Sequence, residues 1–436
     1  MNRRPRPLLA LVLLGIVAGC GASNPPTEPT INPNRARHLG AQITPAWHEL
    51  TTSPITHVVI VIQENRTPDN LFRGLPGADT TPAQPLTPVN LVTTYDVGHS
   101  HSAFLSQYNG GRMNGFLLQT LSYVPQAQVQ PYFTMAEQYA FADRMFQGNQ
   151  GPSYPGHQYL ISGASTILDG SSWRIAENPG GGGIGGPIHQ GGCDSASYVR
   201  VGILSTTGKR QSVFPCFDRT TLADLVVAKG LTWRYYQAFA GAGIWQPFDS
   251  IKHIRYSTQY DNVVAPSSQF LTDVAQGNLA NVTWITPTQA NSDHAKVNLG
   301  GGPAWVTSVV NAIGNSQFWS TTAIFVVWDD WGGWYDHVAP LVRNNNEIGF
   351  RVPLIVISPY AKRGFVSHQL HEFGSILRFT EEALGLGSLN TTDTVPDDLS
   401  DCFDFDQTAR LYGGISPATQ QPNVPVEAGA QVEDGD

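Results

Sequence analysis

Apolar runs of strand length recur along the chain, and two of them end directly in polar side chains. The run THVVIVIQ is followed by Glu64 and Asn65, and the run TAIFVVW is followed by Asp329 and Asp330. Such runs are typical of strands that are covered on both faces in a parallel sheet. Ligands of these sheets gather beyond the carboxyl ends of the strands. The pattern therefore predicts that three carboxylates and one amide form a metal site.

Further strands alternate with helical segments along the chain. Strands are predicted at 56–63, 232–237, 281–286, 322–328 and 352–358. Helices are predicted at 131–146, 222–229, 303–313 and 372–384. The alternation predicts an α/β fold, a three-layer α/β/α sandwich with a mostly parallel central sheet.

A glycine-rich run at 180–186 reads GGGGIGG and has the composition of a phosphate-binding loop. A phosphate-binding loop follows a strand and opens a helix. No strand is predicted before this run and no helix after it. The run is therefore interpreted as a flexible loop.

Composition and charge narrow the class of protein. Hydrophobic residues make up 41% of the chain and aromatic residues 10%, which is enough for a sizeable core. The net charge is -9, and no basic run follows the first residues, so nucleic acid is not an expected partner. The chain has 44 Gly and 31 Pro but only 14% charged residues, which predicts a loop-rich protein of the kind common among secreted hydrolases. Nothing in the sequence indicates an oligomeric state.

The first twenty residues have the pattern of an export signal. Three arginines precede an apolar stretch at 8–17, which is too short for a comfortable membrane span. The stretch ends in VAGC, which resembles a bacterial lipobox whose cysteine is Cys20. The pattern predicts a signal peptide at 1–20 and an exported lipoprotein, anchored to a membrane by lipid on Cys20, at the cell surface or in the periplasm. The alternative is an ordinary secretory signal that contains a cysteine.

The remaining chain divides by composition. Residues 21–50 are rich in Pro, Asn and Thr and are predicted to be a disordered tether. Residues 51–412 are predicted to form one folded domain, and 413–436 to be a disordered acidic tail.

Three cysteines follow Cys20. Export would place the chain in an oxidising compartment, where Cys193 and Cys216 are expected to form a disulfide across a loop of modest length. Cys402 is then expected to be a free, buried thiol. Because no cysteine pair has zinc-finger spacing, oxygen ligands and imidazole would hold any metal.

Ser153 and the two acids after the second run each allow two interpretations. Ser153 lies in GPSYPGH, before the short helical stretch QYLISG. At a helix N-terminus it would be either a nucleophile toward phosphorus, stabilised by a metal ion, or a plain N-cap. Asp329 and Asp330 would either converge on one cation or form a solvated turn.

Histidines in polar segments are further candidates. His99 and His101 lie in DVGHSHS, and His294 lies in NSDHAK. Each could have a functional role, either in contacting a phosphoryl oxygen or in protonating a leaving group. The alternative is a solvent-exposed or structural residue. His57 lies inside the first predicted strand and is interpreted as a core residue.

Seven segments together resemble a known family. QENRTPDNLF is similar to the signature ENRSFDxxF of the bacterial phosphoesterase family that contains phospholipases C and the acid phosphatase A type of enzyme. Six more segments match in the family's order: DVGHSHSAFLSQYNGGRMNGF, GPSYPGHQYLISG, CFDRTTLADLVVAKGLTWRYY, GPAWVTSVVNAIGNSQFWSTTAIFVVWDDWGGWYDHVAP, RVPLIVISPYAKRGFVSH and HEFGSILRFTEEALGL. The resemblance covers about 56–385, most of the chain after the signal, and its seven ordered segments make it specific.

The resemblance implies an alkaline-phosphatase-like fold and a single-metal phosphoesterase site. The metal is one divalent ion, either Ca, Mg, Mn, Zn or Fe. By motif match, its ligands would be Glu64, Asn65, Ser153, Asp329 and Asp330. Ser153 would also be the nucleophile, and His99, His294 and Asn65 would hold the phosphoryl oxygens of a phosphate-ester substrate.

The chain also departs from the family. Thr67 and Pro68 replace the usual Ser-Phe, which changes packing behind Glu64 but removes no ligand. The family's phospholipases carry additional C-terminal β domains, and the chain ends before such domains would fit. This favours an acid-phosphatase-like role over phospholipase C, which is the first alternative. The others are a non-catalytic lipoprotein that binds phosphate or a partner, and a sulfatase or phosphonate-type hydrolase with the same metal site.

Overall fold

A computed structural model describes residues 53–180 and 190–417. Its strands are β1 (His57–Gln63), β2 (Thr87–Pro88), β3 (Ser122–Tyr123), β4 (Ala140–Ala142), β5 (Met145–Phe146), β6 (Trp173–Gly180), β7 (Arg200–Ser205), β8 (Arg210–Val213), β9 (Trp233–Tyr236), β10 (Val263–Val264), β11 (Val282–Ile285), β12 (Thr322–Trp328), β13 (Leu354–Ile357), β14 (Phe365–Ser367) and β15 (His371–Glu372). Its helices are α1 (Pro68–Leu71), α2 (His101–Tyr108), α3 (Gln130–Gln138), α4 (Ser153–Ser162), α5 (Leu222–Ala228), α6 (Lys252–Arg255), α7 (Gln269–Ala275), α8 (Gly302–Gly314) and α9 (Phe373–Leu384). The signal, Cys20, the tether and residues 418–436 lie outside the described residues.

Eight of the described strands form a central sheet in the order β10-β9-β11-β1-β12-β13-β4-β14. From β10 to β12 every neighbouring pair is parallel. β13 runs antiparallel to both β12 and β4, and β14 is parallel to β4. The prediction of a mostly parallel sheet is therefore confirmed. β1 and β12 lie side by side near its middle, with Gln63 opposite Trp328.

Helices cover both faces of this sheet. Phe325 and Trp328 of β12 are an odd number of positions apart, so their side chains leave opposite faces of the strand. Phe325 packs against Phe379 of α9, with ring centroids 5.1 Å apart. Trp328 packs against Tyr132 of α3, with centroids 5.2 Å apart. The predicted three-layer α/β/α arrangement is confirmed. Within the described part of the chain, no helix has the length and apolar character needed to cross a membrane.

The helix predicted at 131–146 is wrong in its second half. Helix α3 ends at Gln138, and the apolar residues that follow form the short strands β4 and β5. β4 is held between β13 and β14 by backbone pairing. A short apolar run is compatible with either a helix or a strand, and here tertiary pairing decides. His57 is also not a core residue: it is half-buried, and its Nδ1 lies 3.2 Å from Oγ1 of Thr321.

A small antiparallel sheet, β6-β7-β8, is inserted after α4 and was not predicted. β6 ends at Gly180, so the glycine-rich run does follow a strand, contrary to its interpretation. Residues 181–189, the rest of that run among them, lie outside the described residues. Cys193 and Cys216 form a disulfide and Cys402 is free and buried, so both cysteine predictions are confirmed.

Candidate metal centre

The polar residues after β1 and β12 meet at the carboxyl edge of the sheet, as predicted. The backbone N–H of Asn65 donates to Asp329 Oδ1 over 3.0 Å. Asn65 has a φ of 62°, a left-handed conformation that turns the chain away from the strand direction. Gly332 packs against this turn, and a Cβ on it would lie 2.4 Å from the carbonyl oxygen of Asn65. Only glycine fits there, so the two strand ends are locked together.

Ser153 reaches the same edge from helix α4. It is the first residue of that helix, and Pro152 is the N-cap. Its Oγ donates to Asp330 Oδ2 over 3.1 Å, while the N–H of Tyr154 is taken by Asn178 Oδ1 of β6 at 2.9 Å. The N-cap interpretation of Ser153 is therefore wrong. The hydroxyl bonds to an acid at the end of a strand, and a side chain of the inserted sheet caps the helix.

His157 belongs to this centre and was not predicted from the sequence. It lies one helical turn after Ser153, and its side chain is fully buried. Its Nε2 lies 3.0 Å from Glu64 Oε1 and 3.6 Å from Asp329 Oδ2. One ligand atom from each of Glu64, His157 and Asp329 lies within 4.8 Å of the others. The signal available in the sequence was the spacing of four residues from Ser153, which places both side chains on one face of a helix.

The electrostatics of the centre suit a divalent cation. Glu64, Asp329 and Asp330 are all buried. Burial and, next, the charge of Asp329 raise the pKa of Asp330 to about 8. Asn65 Oδ1 and Asp329 Oδ2 are buried and have no hydrogen-bond partner among the described residues. A bound cation would use these oxygens and offset the crowding of negative charge.

Burial also sets the charge state of His157. It lowers the pKa of the imidazole to about 4, although the nearby Asp329 carboxylate acts in the opposite direction. The ring is therefore neutral at physiological pH. A neutral imidazole is the form that binds a metal.

His99 and His294 lie together beside the acids. Their ring centroids are 5.6 Å apart, and a positive charge on either ring would lower the pKa of Asp330. His99 Nδ1 lies 2.7 Å from the Val97 carbonyl oxygen, which can only accept, so Nδ1 carries a proton. In the neutral ring, His99 Nε2 then accepts from Asn65 Nδ2 at 3.1 Å. His294 Nδ1 likewise donates to the carbonyl oxygen of Ala295 at 2.7 Å.

His101 has a different environment from His99. It is the first residue of α2, and its Nδ1 donates to the Gln150 carbonyl oxygen over 2.7 Å. Burial lowers its pKa to about 4. Its described contacts support the segment before Ser153 and do not reach the acids, so the structure does not support a phosphoryl contact for His101.

A buried network behind the acids joins the strand end to the segment that carries His294. The Arg66 guanidinium donates from Nε to the Asp293 carbonyl oxygen over 2.9 Å. Asp293 Oδ2 accepts from Tyr132 Oη at 2.9 Å and from Trp328 Nε1 at 3.0 Å. No local pattern in the sequence predicts this network, since its members are spread over more than two hundred positions. It fixes the position of His294 relative to Asn65.

Two other groups of candidate metal ligands are found among the described residues: Asp69, Asp336 and His337, and His371, Asp401 and Cys402. In the first, the Arg351 guanidinium lies 3.2 Å from Asp69 and 2.8 Å from Asp336. Its single positive charge is thus already paired with both carboxylates. In the second, His371 lies between Asp397 at 2.6 Å and Ser367 at 2.8 Å, so both ring nitrogens are engaged. Contacts within the protein therefore already use the Asp69 and Asp336 carboxylates of the first group and both ring nitrogens of His371 in the second.

Known proteins resemble this chain in sequence. Hemolytic phospholipase C of Pseudomonas aeruginosa is 26% identical over 470 residues, which cover 88% of this chain and 60% of that protein. Non-specific phospholipase C6 of Arabidopsis thaliana is 24% identical over 373 residues, which cover 72% of this chain and 63% of that protein. The chain thus spans less than two thirds of the length of these relatives.

Solved structures also align with the chain. A protein of the alkaline phosphatase superfamily from Vibrio parahaemolyticus aligns with a TM-score of 0.39 and 11% identity, over 79% of this chain and 70% of that one. Phosphonate monoester hydrolase of Agrobacterium radiobacter aligns with a TM-score of 0.37 and 10% identity, over 80% of this chain and 77% of that one.

The family model named Phosphoesterase family matches residues 55–387. The match covers most of the chain and contains both strand ends, helix α4 and every histidine of the centre. It agrees with the resemblance found in the seven sequence segments. The chain belongs to the Phosphoesterase family.

Proposed function

We propose that this chain is a metal-dependent phosphoesterase that hydrolyses phosphate esters through Ser153, in the manner of an acid phosphatase. The observation that supports this proposal most directly is the hydrogen bond from Ser153 Oγ to Asp330 Oδ2. It lies at the edge of the sheet where Glu64 and Asp329 also converge. This arrangement supports the proposal, because a candidate nucleophile, a carboxylate that could accept its proton and candidate metal ligands are buried close together. Family membership supports the same reaction class.

The centre would hold one divalent cation. Its candidate protein ligands are Glu64, Asn65, Ser153, Asp329 and Asp330, joined by His157. When bound, the cation would favour the ionised Ser153 hydroxyl and offset the charge that develops on the phosphoryl oxygens.

The chain's own residues supply the two displacement steps. Ser153 Oγ forms a bond to phosphorus as the bond to the alcohol breaks, and its proton passes toward Asp330 Oδ2, with which it is already hydrogen-bonded. The alcohol leaves with a proton from a histidine or from water. Water then displaces Ser153 from phosphorus and releases phosphate, and the proton lost by this water replaces the one given to the alcohol. Asp330 returns the proton to the serine.

His99, His294 and Asn65 are proposed to hold the phosphoryl oxygens. The two rings lie 5.6 Å apart, so both could contact one phosphoryl group. Asn65 donates to His99 and links the pair to the strand end. Protonation of either ring would give a charged donor to a phosphoryl oxygen.

A second candidate is phospholipase C activity, the cleavage of phospholipid headgroups. It is supported by the names of the sequence relatives, which are phospholipases C. The same centre would serve either reaction, because both break a phosphate ester bond.

A substrate panel tests the proposal. The purified protein should be assayed with a phosphate monoester, a phosphate diester, phosphatidylcholine and a sulfate ester, each with and without a chelator. Chelator-sensitive hydrolysis of a phosphate ester is expected. Preference for phosphatidylcholine over the soluble esters would select the phospholipase C candidate. Turnover of the sulfate ester alone, or of none of the four, would contradict the proposal.

We also propose that the chain is an exported lipoprotein. The support comes from the lipobox-like VAGC at residues 17–20 and from the disulfide between Cys193 and Cys216, a bond typical of oxidising compartments. Cys20→Ser should release a membrane-bound protein into the soluble fraction. A wild-type protein that is soluble and cleaved at another position would contradict the lipid anchor.

A further inference from the structure

We propose that His157 Nε2 is a direct ligand of the catalytic cation, with Glu64 and Asp329, and that the centre therefore prefers Zn²⁺ to Ca²⁺ or Mg²⁺. The inference rests on the metal dependence of the proposed function and adds to it the identity of a ligand and the class of metal. His157 was not among the ligands that the sequence suggested.

The distances fit one shared ion. Nε2 lies 3.0 Å from Glu64 Oε1 and 3.6 Å from Asp329 Oδ2. Nitrogen and oxygen ligands bind Zn²⁺ at about 2.0–2.2 Å, so two ligand atoms are separated by about 3.0 Å at a right angle and about 3.4 Å at a tetrahedral angle. The three side chains can therefore bind one ion with little rearrangement.

A simple hydrogen bond explains only part of this geometry. Nε2 carries at most one proton, so it can donate a full hydrogen bond to only one of the two carboxylates. Glu64 Oε1 is the nearer oxygen at 3.0 Å. Asp329 Oδ2 would remain buried without a hydrogen-bond partner among the described residues. A cation between the three groups satisfies both acids and the imidazole together.

Helix α4 holds the imidazole in place by backbone packing. A Cβ on Gly156 would lie 2.7 Å from the carbonyl oxygen of Asp329, so the helix approaches the end of β12 more closely than any other residue would allow. Ser153 and His157 project from the same face of this helix. One therefore reaches Asp330 and the other reaches Glu64 and Asp329.

The donor set then determines the preferred metal. Ca²⁺ and Mg²⁺ are bound by oxygen ligands, and Mg²⁺ in addition keeps several waters. An imidazole nitrogen with carboxylate oxygens suits Zn²⁺ and neighbouring transition metals. A direct bond from His157 would therefore move the preference of an otherwise oxygen-rich centre toward zinc.

X-ray absorption spectroscopy at the zinc edge tests directly whether His157 is a ligand. The full-length protein is expressed without a histidine tag, stripped of metal and reloaded with Zn²⁺. The wild type should show the multiple-scattering pattern of a bound imidazole. His157→Gln should lose it, while His101→Gln, a matched buried histidine beside the same segment, should keep it. Zn²⁺ affinity of His157→Gln should fall by more than the roughly 10–100-fold that loss of an outer-shell partner costs.

If His157→Gln does not fold, metal competition and the spectrum of the wild-type protein still test the assignment. Zn²⁺ should displace Ca²⁺ and Mg²⁺ from it at far lower concentration. A wild-type spectrum without imidazole, or an imidazole signal that persists in His157→Gln, would overturn the assignment of His157 and leave the phosphoesterase proposal standing. Failure of the wild type to bind any divalent cation would instead overturn the metal-dependent function itself.

Discussion

Ser153 Oγ donates a hydrogen bond of 3.1 Å to Asp330 Oδ2, although the two residues are 177 positions apart in the chain. Helix α4 and strand β12 are brought together by Gly156, whose missing side chain leaves room for the Asp329 backbone. The serine hydroxyl is thus oriented by an acid of the sheet and not by its own helix. This contact supports the proposal that Ser153 is the nucleophile.

Ser153→Ala should abolish phosphate-ester turnover, with a loss of several orders of magnitude, because removing a nucleophile disables the first step. Loss of a buried hydrogen bond to a carboxylate should lower the free energy of unfolding by only about 1–3 kcal/mol. Rapid quench with labelled substrate should trap a phosphoserine on the wild type and none on the variant. Ser165→Ala, which removes another buried hydroxyl bonded to Ile175 at 2.9 Å, is the control and should stay active. Full activity of Ser153→Ala would mean that water attacks directly.

Asp330→Asn should lose both the metal and activity, because the centre loses a charged ligand and the acceptor of the Ser153 proton. Elemental analysis of the purified variant should show less metal than in the wild type, and excess metal should partly restore turnover. Asp261→Asn changes an exposed acid and should alter neither property. Metal content equal to the wild type in Asp330→Asn would argue that Asp330 acts as a proton acceptor and not as a ligand.

The strand ends could be predicted because the signals are local. An apolar run followed by Glu64 and Asn65, or by Asp329 and Asp330, predicts both a buried strand and the place where its polar residues gather. Parallel pairing of β1 with β12 then brings the four side chains together. The α/β fold follows from the same alternation of patterns.

Other parts of the centre depend on packing that no local pattern shows. His157 faces the acids because Gly156 lets helix α4 approach β12. Ser153 is not an N-cap because Asn178, from an inserted sheet that was not predicted, bonds to the helix N-terminus. The residues after Gln138 form strands because β13 and β14 pair with them. In each case a distant segment decides the role of a residue.

Removal of the disulfide should loosen the insertion without dismantling the central sheet. Cys193 and Cys216 are 23 positions apart, and a cross-link that closes a loop of this length stabilises a fold by about 3 kcal/mol in the chain-entropy model. Cys193→Ser with Cys216→Ser should therefore lower the melting temperature. Cys402→Ser is the control, since that buried thiol is free. Non-reducing peptide mapping that found Cys402 in a cross-link would contradict the pairing.

Tyr132→Phe should weaken both stability and catalysis through Asp293. Burial raises the pKa of Asp293 to about 6, and the hydrogen bond from Tyr132 opposes this rise by favouring the ionised acid. A carboxyl group whose pKa is raised by folding destabilises the fold as pH increases from its ordinary value toward 6. Loss of the bond should therefore cost most above pH 6, about 1.5–3 kcal/mol, and less in acid.

Kinetics should separate the two effects of Tyr132→Phe. Asp293 precedes His294, so displacement of this segment should lower kcat/KM as well as stability. Tyr236→Phe removes a comparable bond, from Tyr236 to Asp273 at 2.7 Å, outside this network. It should reduce stability but leave kcat/KM near the wild-type value. Equal kinetic defects in both variants would show that the network does not position His294.

Gly156→Ala should impair turnover and metal binding, although glycine has no side chain that could take part in either. A Cβ at this position would lie 2.7 Å from the Asp329 carbonyl oxygen, which is backbone and cannot rotate away. Overpacking of this kind costs about 1–3 kcal/mol and moves helix α4 from the end of β12. Ser153 and His157 would move with it, so both turnover and metal affinity should fall together. Gly387→Ala, where a Cβ meets no atom within 4 Å, is the matched control and should change neither. A folded Gly156→Ala protein with the metal affinity of the wild type would contradict this prediction. It would show that close packing of helix α4 on β12 is not needed to position Ser153 and His157.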